Sequence, residues 1–118
     1  MTDYDEKLSE VIQNNRNLFH SIGDVGKGFS EVHKHATEAG ALDTKTKLLE
    51  ALAIAIAIRC DGCIVQHTKG AIKAGATRQE IIETIDVAIM MGGGPSTVYG
   101  GRALACADQY LKEEEAKK

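Results

Sequence analysis

The sequence predicts an all-α fold: a single domain of about six helices spanning residues 1–118. Three observations carry this. Apolar residues recur at three- and four-residue steps. Capping residues stand ahead of several such runs. Glycine or Gly-Pro follows most of them. No βαβ pattern, linker or internal repeat is visible, and the length suits one domain.

The first helix is expected from Asp5 to about Ile22, with Leu8, Val11, Ile12, Leu18 and Phe19 on one face and Gly23 as its stop. The second runs from Val25 to about Ala39 and breaks at Gly40. Asp43 or Thr44 caps a third, Thr44 to about Ile58. Its Ile residues alternate as in a strand from 52 to 58, but the Ala between them and the helical lead-in from Lys45 favour helix. Such a helix is apolar nearly all round and should be central. The fourth is expected from about Cys60 to Ala74, ahead of Gly75. Thr77-Arg78-Gln79-Glu80 is a capping box for a fifth, which runs to about Met91. Gly92-Gly93-Gly94-Pro95 breaks the chain before a sixth, Ser96 to about Glu115. Gly100-Gly101 within it should let another helix approach closely.

The formal charge is −3, and Lys and Arg are scattered, so no nucleic-acid partner is expected. The acidic start, Met1 to Glu6, is unlike a secretory signal. The longest apolar run, Ala51 to Ile58, is too short to span a bilayer, so no membrane partner is expected and the location is read as cytoplasmic. With two Phe, three Tyr and no Trp, the core has little aromatic bulk. Burial between subunits would supplement it, which points to a homo-oligomer.

Cys60-Asp61-Gly62-Cys63-Ile64-Val65-Gln66-His67 carries the chemistry. If a helix begins at Cys60, both thiols and the imidazole fall within an arc of about 60°. Neighbouring thiols can join and part with little backbone movement. An imidazole one turn from Cys63 can take its proton, and the thiolate is the reactive form. A helix start also favours a thiolate. Thiol redox chemistry is the leading reading. A zinc site is a second, although three ligands fall short of the usual four. Two inert buried thiols are a third. His20, His33 and His35 read as ordinary surface or core histidines, and Cys106 as a small core residue. Glu50 and Asp86 each lie among apolar neighbours; if buried, either could hold the imidazole or relay its proton. The Gly92–Gly94 run follows a helix and lacks Lys-Ser/Thr, so it is no phosphate loop, and no cofactor is indicated.

Leu42 to Lys47, Cys60 to His67, Gly70 and Ala74 to Ile81 together resemble the AhpD-like and carboxymuconolactone decarboxylase family. The resemblance spans roughly residues 40 to 110. It implies an all-α trimer or hexamer and, in the AhpD branch, peroxide reduction recharged by a dithiol partner such as a lipoylated protein. By this resemblance Cys63 attacks peroxide, Cys60 resolves, and His67 is the relay base. The chain departs at two places. The relay Glu twelve residues before the first cysteine is Leu48 here, and the His between the cysteines is Gly62. A thiol-dependent peroxidase or disulfide reductase is the function so implied. Lactone decarboxylation and non-enzymatic metal or redox binding are the alternatives.

Overall fold

The computed structural model describes residues 1–118 as six helices and no strand. They are α1 Tyr4–Ile22, α2 Asp24–Ala36, α3 Thr44–Ala57, α4 Asp61–Lys73, α5 Arg78–Gly92 and α6 Gly94–Ala116. Residues 52–58 are helical up to Ala57, which resolves the strand-like alternation in favour of helix. Asp43 caps α3 by accepting from Thr46 N–H at 2.7 Å. The Thr77–Glu80 capping box forms in both directions. No helix is long and apolar enough to cross a membrane.

α3 to α6 build the core. Leu52, Ile56, Ile64, Val65, Ile81, Ala103 and Tyr110 are almost wholly buried there. α3 packs against α4, α5 and α6, so it is central as its composition predicts. It is not covered all round, however: Ile54 and Ile58 remain 60% and 66% exposed. Gly100 is where α6 meets α5. A Cβ there would stand 2.7 Å from Ile85 Cγ2, so no larger residue fits without moving a helix. The close approach expected of the glycine pair therefore belongs to Gly100; open space surrounds Gly101.

α1 and α2 differ from their sequence reading. The supposed buried face of α1 is only partly used: Leu8 packs on the core, but Ile12 and Leu18 are 39% and 50% exposed. The reason is where α1 sits. It contacts α4 and α2 and stays outside the core. Its start is pinned to α6, where Gln109 Oε1 accepts from Tyr4 N–H at 2.9 Å and the Tyr110 hydroxyl donates to Tyr4 O at 3.1 Å. α2 stops at Ala36, three residues before the expected end. Thr37 turns the chain there, its hydroxyl donating to His33 O at 2.9 Å, while Thr44 and Lys47 bond the carbonyls of Thr37 and Glu38. The break after α5 is a single residue, Gly93 at φ +71°, and Pro95 sits in the first turn of α6, where its missing N–H costs nothing.

Candidate active site

The site begins at the end of α3. Arg59 N–H bonds Ile56 O at 3.1 Å and Cys60 N–H bonds Ala55 O at 3.0 Å. This is a Schellman closure, with Arg59 in the left-handed region at φ +61° where glycine is usual. The closure fixes Cys60 as the residue that also caps α4. Its Sγ accepts from Cys63 N–H at 3.3 Å. Cys60 therefore lies just outside α4 rather than on its face, which corrects the expected start by one residue. The cause is its extended backbone, φ −101° and ψ +95°.

Cys60 and Cys63 are joined in a disulfide, with Cα atoms 5.2 Å apart. Both are half-buried. Cys63 is the third residue of α4, and His67 follows four residues later, one turn on along the same face. When the disulfide opens, a thiolate on Cys60 would meet the unsatisfied N–H groups of the first turn. A thiol on Cys63 would stand one helical turn before the imidazole.

His67 is half-buried and makes no side-chain hydrogen bond. Its partner is His33 of α2. The two rings stack with centroids 6.0 Å apart and planes within 13°. Burial, and then the positive charge His33 can carry, hold the His67 imidazole below its usual pKa range. It is therefore a neutral base near pH 7. Thirty-four residues separate these histidines, and no local pattern marks His33, so the sequence alone reads it as an ordinary surface or core histidine. His35 fits that reading, held between Glu31 and Glu38 at 3.0 and 2.9 Å on the surface.

Asp61, the first residue of α4, is gripped from two other helices. Arg102 Nη1 of α6 donates to both carboxylate oxygens at 2.9 and 3.0 Å, and Lys7 Nζ of α1 stands 3.6 Å away. The Arg102 guanidinium lies 4.5 Å from the Tyr99 ring centre, which fixes its plane. Glu50 and Asp86 are both exposed and hydrogen-bond none of these residues. No group of three or more His, Cys, Asp or Glu is arranged to hold a metal ion. Cys106 is fully buried, and burial pushes its thiol up to about 12. Beside it, Thr68 Oγ1 is the one buried side-chain polar atom without a hydrogen-bond partner. An open groove of about 900 Å³ between α1 and α2 reaches Gln66, next to His67, past Arg16, His20 and Ser30.

The model of the carboxymuconolactone decarboxylase family matches residues 23–108. The chain belongs to the carboxymuconolactone decarboxylase family. It is 36% identical over 107 residues to an uncharacterized protein of Cupriavidus necator, covering 91% of this chain and 95% of that one. An uncharacterized protein from the cox locus of Paracoccus denitrificans is 39% identical over 85 residues, 72% of this chain and 77% of its own length. Two solved family structures share the fold. The apo form from Legionella pneumophila superposes with TM-score 0.86 at 36% identity, over 91% of this chain and 96% of that one. A Thermotoga maritima member, for which a part in an antioxidative response has been suggested, gives 0.82 at 27% identity over 92% and 95%.

Two features set this family member's site apart from the AhpD pattern. Leu48 occupies the relay-Glu position, partly buried, with its Cδ1 3.7 Å from where a Cβ on Gly70 would stand. Gly70 is one turn beyond His67, so an apolar group faces that stretch of α4. Gly62, between the cysteines, lies under Val11 of α1. A Cβ there would be in van der Waals contact with the valine methyls, at 3.4 and 3.5 Å, so a larger side chain would have to pass beside Val11. α1 itself lies outside the family match.

Proposed function

We propose that this family member is a dithiol oxidoreductase that reduces peroxides at the expense of an external dithiol. The observation that carries the reading is the Cys60–Cys63 pair closing at the start of α4 with His67 one turn beyond. In the reduced protein, neutral His67 takes the Cys63 proton. The Cys63 thiolate attacks the distal peroxide oxygen. The O–O bond breaks, the alcohol or water leaves with the proton returned by His67, and Cys63 becomes a sulfenic acid. Cys60 gives up its proton at the helix start, its thiolate attacks that sulfur, and the displaced hydroxide takes that proton and leaves as water as the disulfide forms. A dithiol substrate, such as a lipoylated protein, then reduces the disulfide by two exchange steps and is itself oxidised. Glu50 and Asp86, exposed and unconnected to His67, have no step in this sequence.

The reading is tested by peroxide consumption with small dithiols and with dihydrolipoyl protein as donors. Turnover should need the dithiol and vanish in both Cys60→Ser and Cys63→Ser. Absence of turnover with every donor would refute it.

The working form is proposed to be a homo-oligomer. Ile54 on α3, Ile58 just past its end, and Val87, Met90 and Met91 on α5 are all more than half exposed. The C-terminal ends of these helices meet, with Ala57 Cα 3.6 Å from where a Cβ on Gly92 would be, so these exposed apolar residues sit on two adjoining helices.

A further inference from the structure

We propose that His33 is a positioning residue for His67, fixing the plane of the relay imidazole beside Cys63; this rests on the relay role given to His67 above. A working histidine is normally oriented by a hydrogen bond from its second ring nitrogen to a carboxylate or carbonyl. His67 has no such partner. Leu48 is apolar, and Glu50 is exposed elsewhere. What faces the ring is the near-parallel His33 ring, its centroid 6.0 Å away. A flat neighbour restricts rotation about the outer side-chain torsion, as a hydrogen bond would. A positive charge on His33 also opposes protonation of half-buried His67.

Other charges near the pair are engaged elsewhere. On α4, Asp61 is held by Arg102 of α6 and Lys7 of α1, and Lys69 lies over the Tyr110 ring. On α2, Glu31 is paired with His35. On α3, Lys47 donates to Glu38 O. Arg16 and His20 of α1 and Lys27 of α2 line the groove that reaches Gln66. Of all these groups, only the charge on His33 adds to burial in lowering the His67 pKa.

The test is a proton NMR titration of the His67 ring in the reduced full-length protein, with His33→Phe and His33→Gln. Phenylalanine keeps a flat ring and removes the charge; glutamine removes both. His33 is exposed, so at least one variant should fold. The His67 midpoint should rise in either variant. Cys63 alkylation should follow, its acid limb moving upward by the same amount. Only glutamine should also broaden the His67 ring signals. In a folded variant, His67 ring signals that stay sharp in His33→Gln, or an unmoved His67 midpoint, would overturn the inference. The titration reads His67 directly, so failure of peroxide turnover would count against the proposed function and not against this pairing.

Discussion

The Arg102 guanidinium holds both oxygens of Asp61, at 2.9 and 3.0 Å, across forty-one residues of chain. Asp61 lies between the disulfide's first sulfur and the rest of α4, so its charge acts on any thiolate formed at Cys60. Arg102 and Lys7 cancel that charge at the helix start. In Arg102→Gln the carboxylate is left with Lys7 alone. Cys60 in the reduced protein should then alkylate a few-fold more slowly near neutral pH, and Asp61→Asn should reverse the loss. Mass spectrometry of each cysteine after timed alkylation would show it. Equal rates in wild type and Arg102→Gln would remove Arg102 from the account.

Arg59 offers a stability prediction. α3 and α4 end in the same closure, with Arg59 at φ +61° in one and Gly75 at φ +100° in the other. Glycine suits this conformation, and a side chain there costs roughly 1 kcal/mol. Arg59→Gly should raise unfolding stability by about 0.5–1 kcal/mol in urea titration, less the flexibility glycine gives the unfolded chain. A fall in stability would mean that the Arg59 side chain makes a compensating contact.

Cys106 gives a pH prediction. An ordinary thiol ionises near 9.0, whereas this buried one is pushed up to about 12. Its contribution is intact below pH 9 and is lost as pH rises through about 12, because unfolding then releases a proton. Tyr110, also raised by burial, acts in the same direction. Stability should fall above pH 9 by at most about 1.4 kcal/mol per pH unit for each such group. Cys106→Ala should flatten the decline. An identical alkaline slope in that variant would show that the thiol is already accessible when folded.

The exposed apolar residues of α3 and α5 lead to a prediction about assembly. Light scattering should show a stable oligomer at micromolar concentration, and Ile54→Lys with Met90→Lys should dissociate it. A wild-type monomer would contradict the proposed assembly.

The helices were legible because capping and periodicity are local. The Thr77 box and the Asp43 cap needed no tertiary information. The separation of the core from its periphery was not legible. Leu18 has the right spacing for burial, but α1 sits outside the four packed helices. The cysteines and His67 can be picked out by their spacing over two turns. His33, Arg102 and Lys7 could not, since each reaches the site from another helix and has no signature of its own. Cys60 was misplaced by one residue because the closure of α3, not the propensity of α4, decides where α4 begins.

The central claim is that the Cys60–Cys63 dithiol, helped by His67, takes electrons to peroxide. Its most direct test is a single turnover: reduce the protein, remove the reductant, add peroxide, and follow re-formation of the Cys60–Cys63 disulfide by quenched mass spectrometry. The account predicts one disulfide formed per chain, about a hundredfold more slowly in His67→Ala. No peroxide-driven disulfide, or an unchanged rate in His67→Ala, would contradict it.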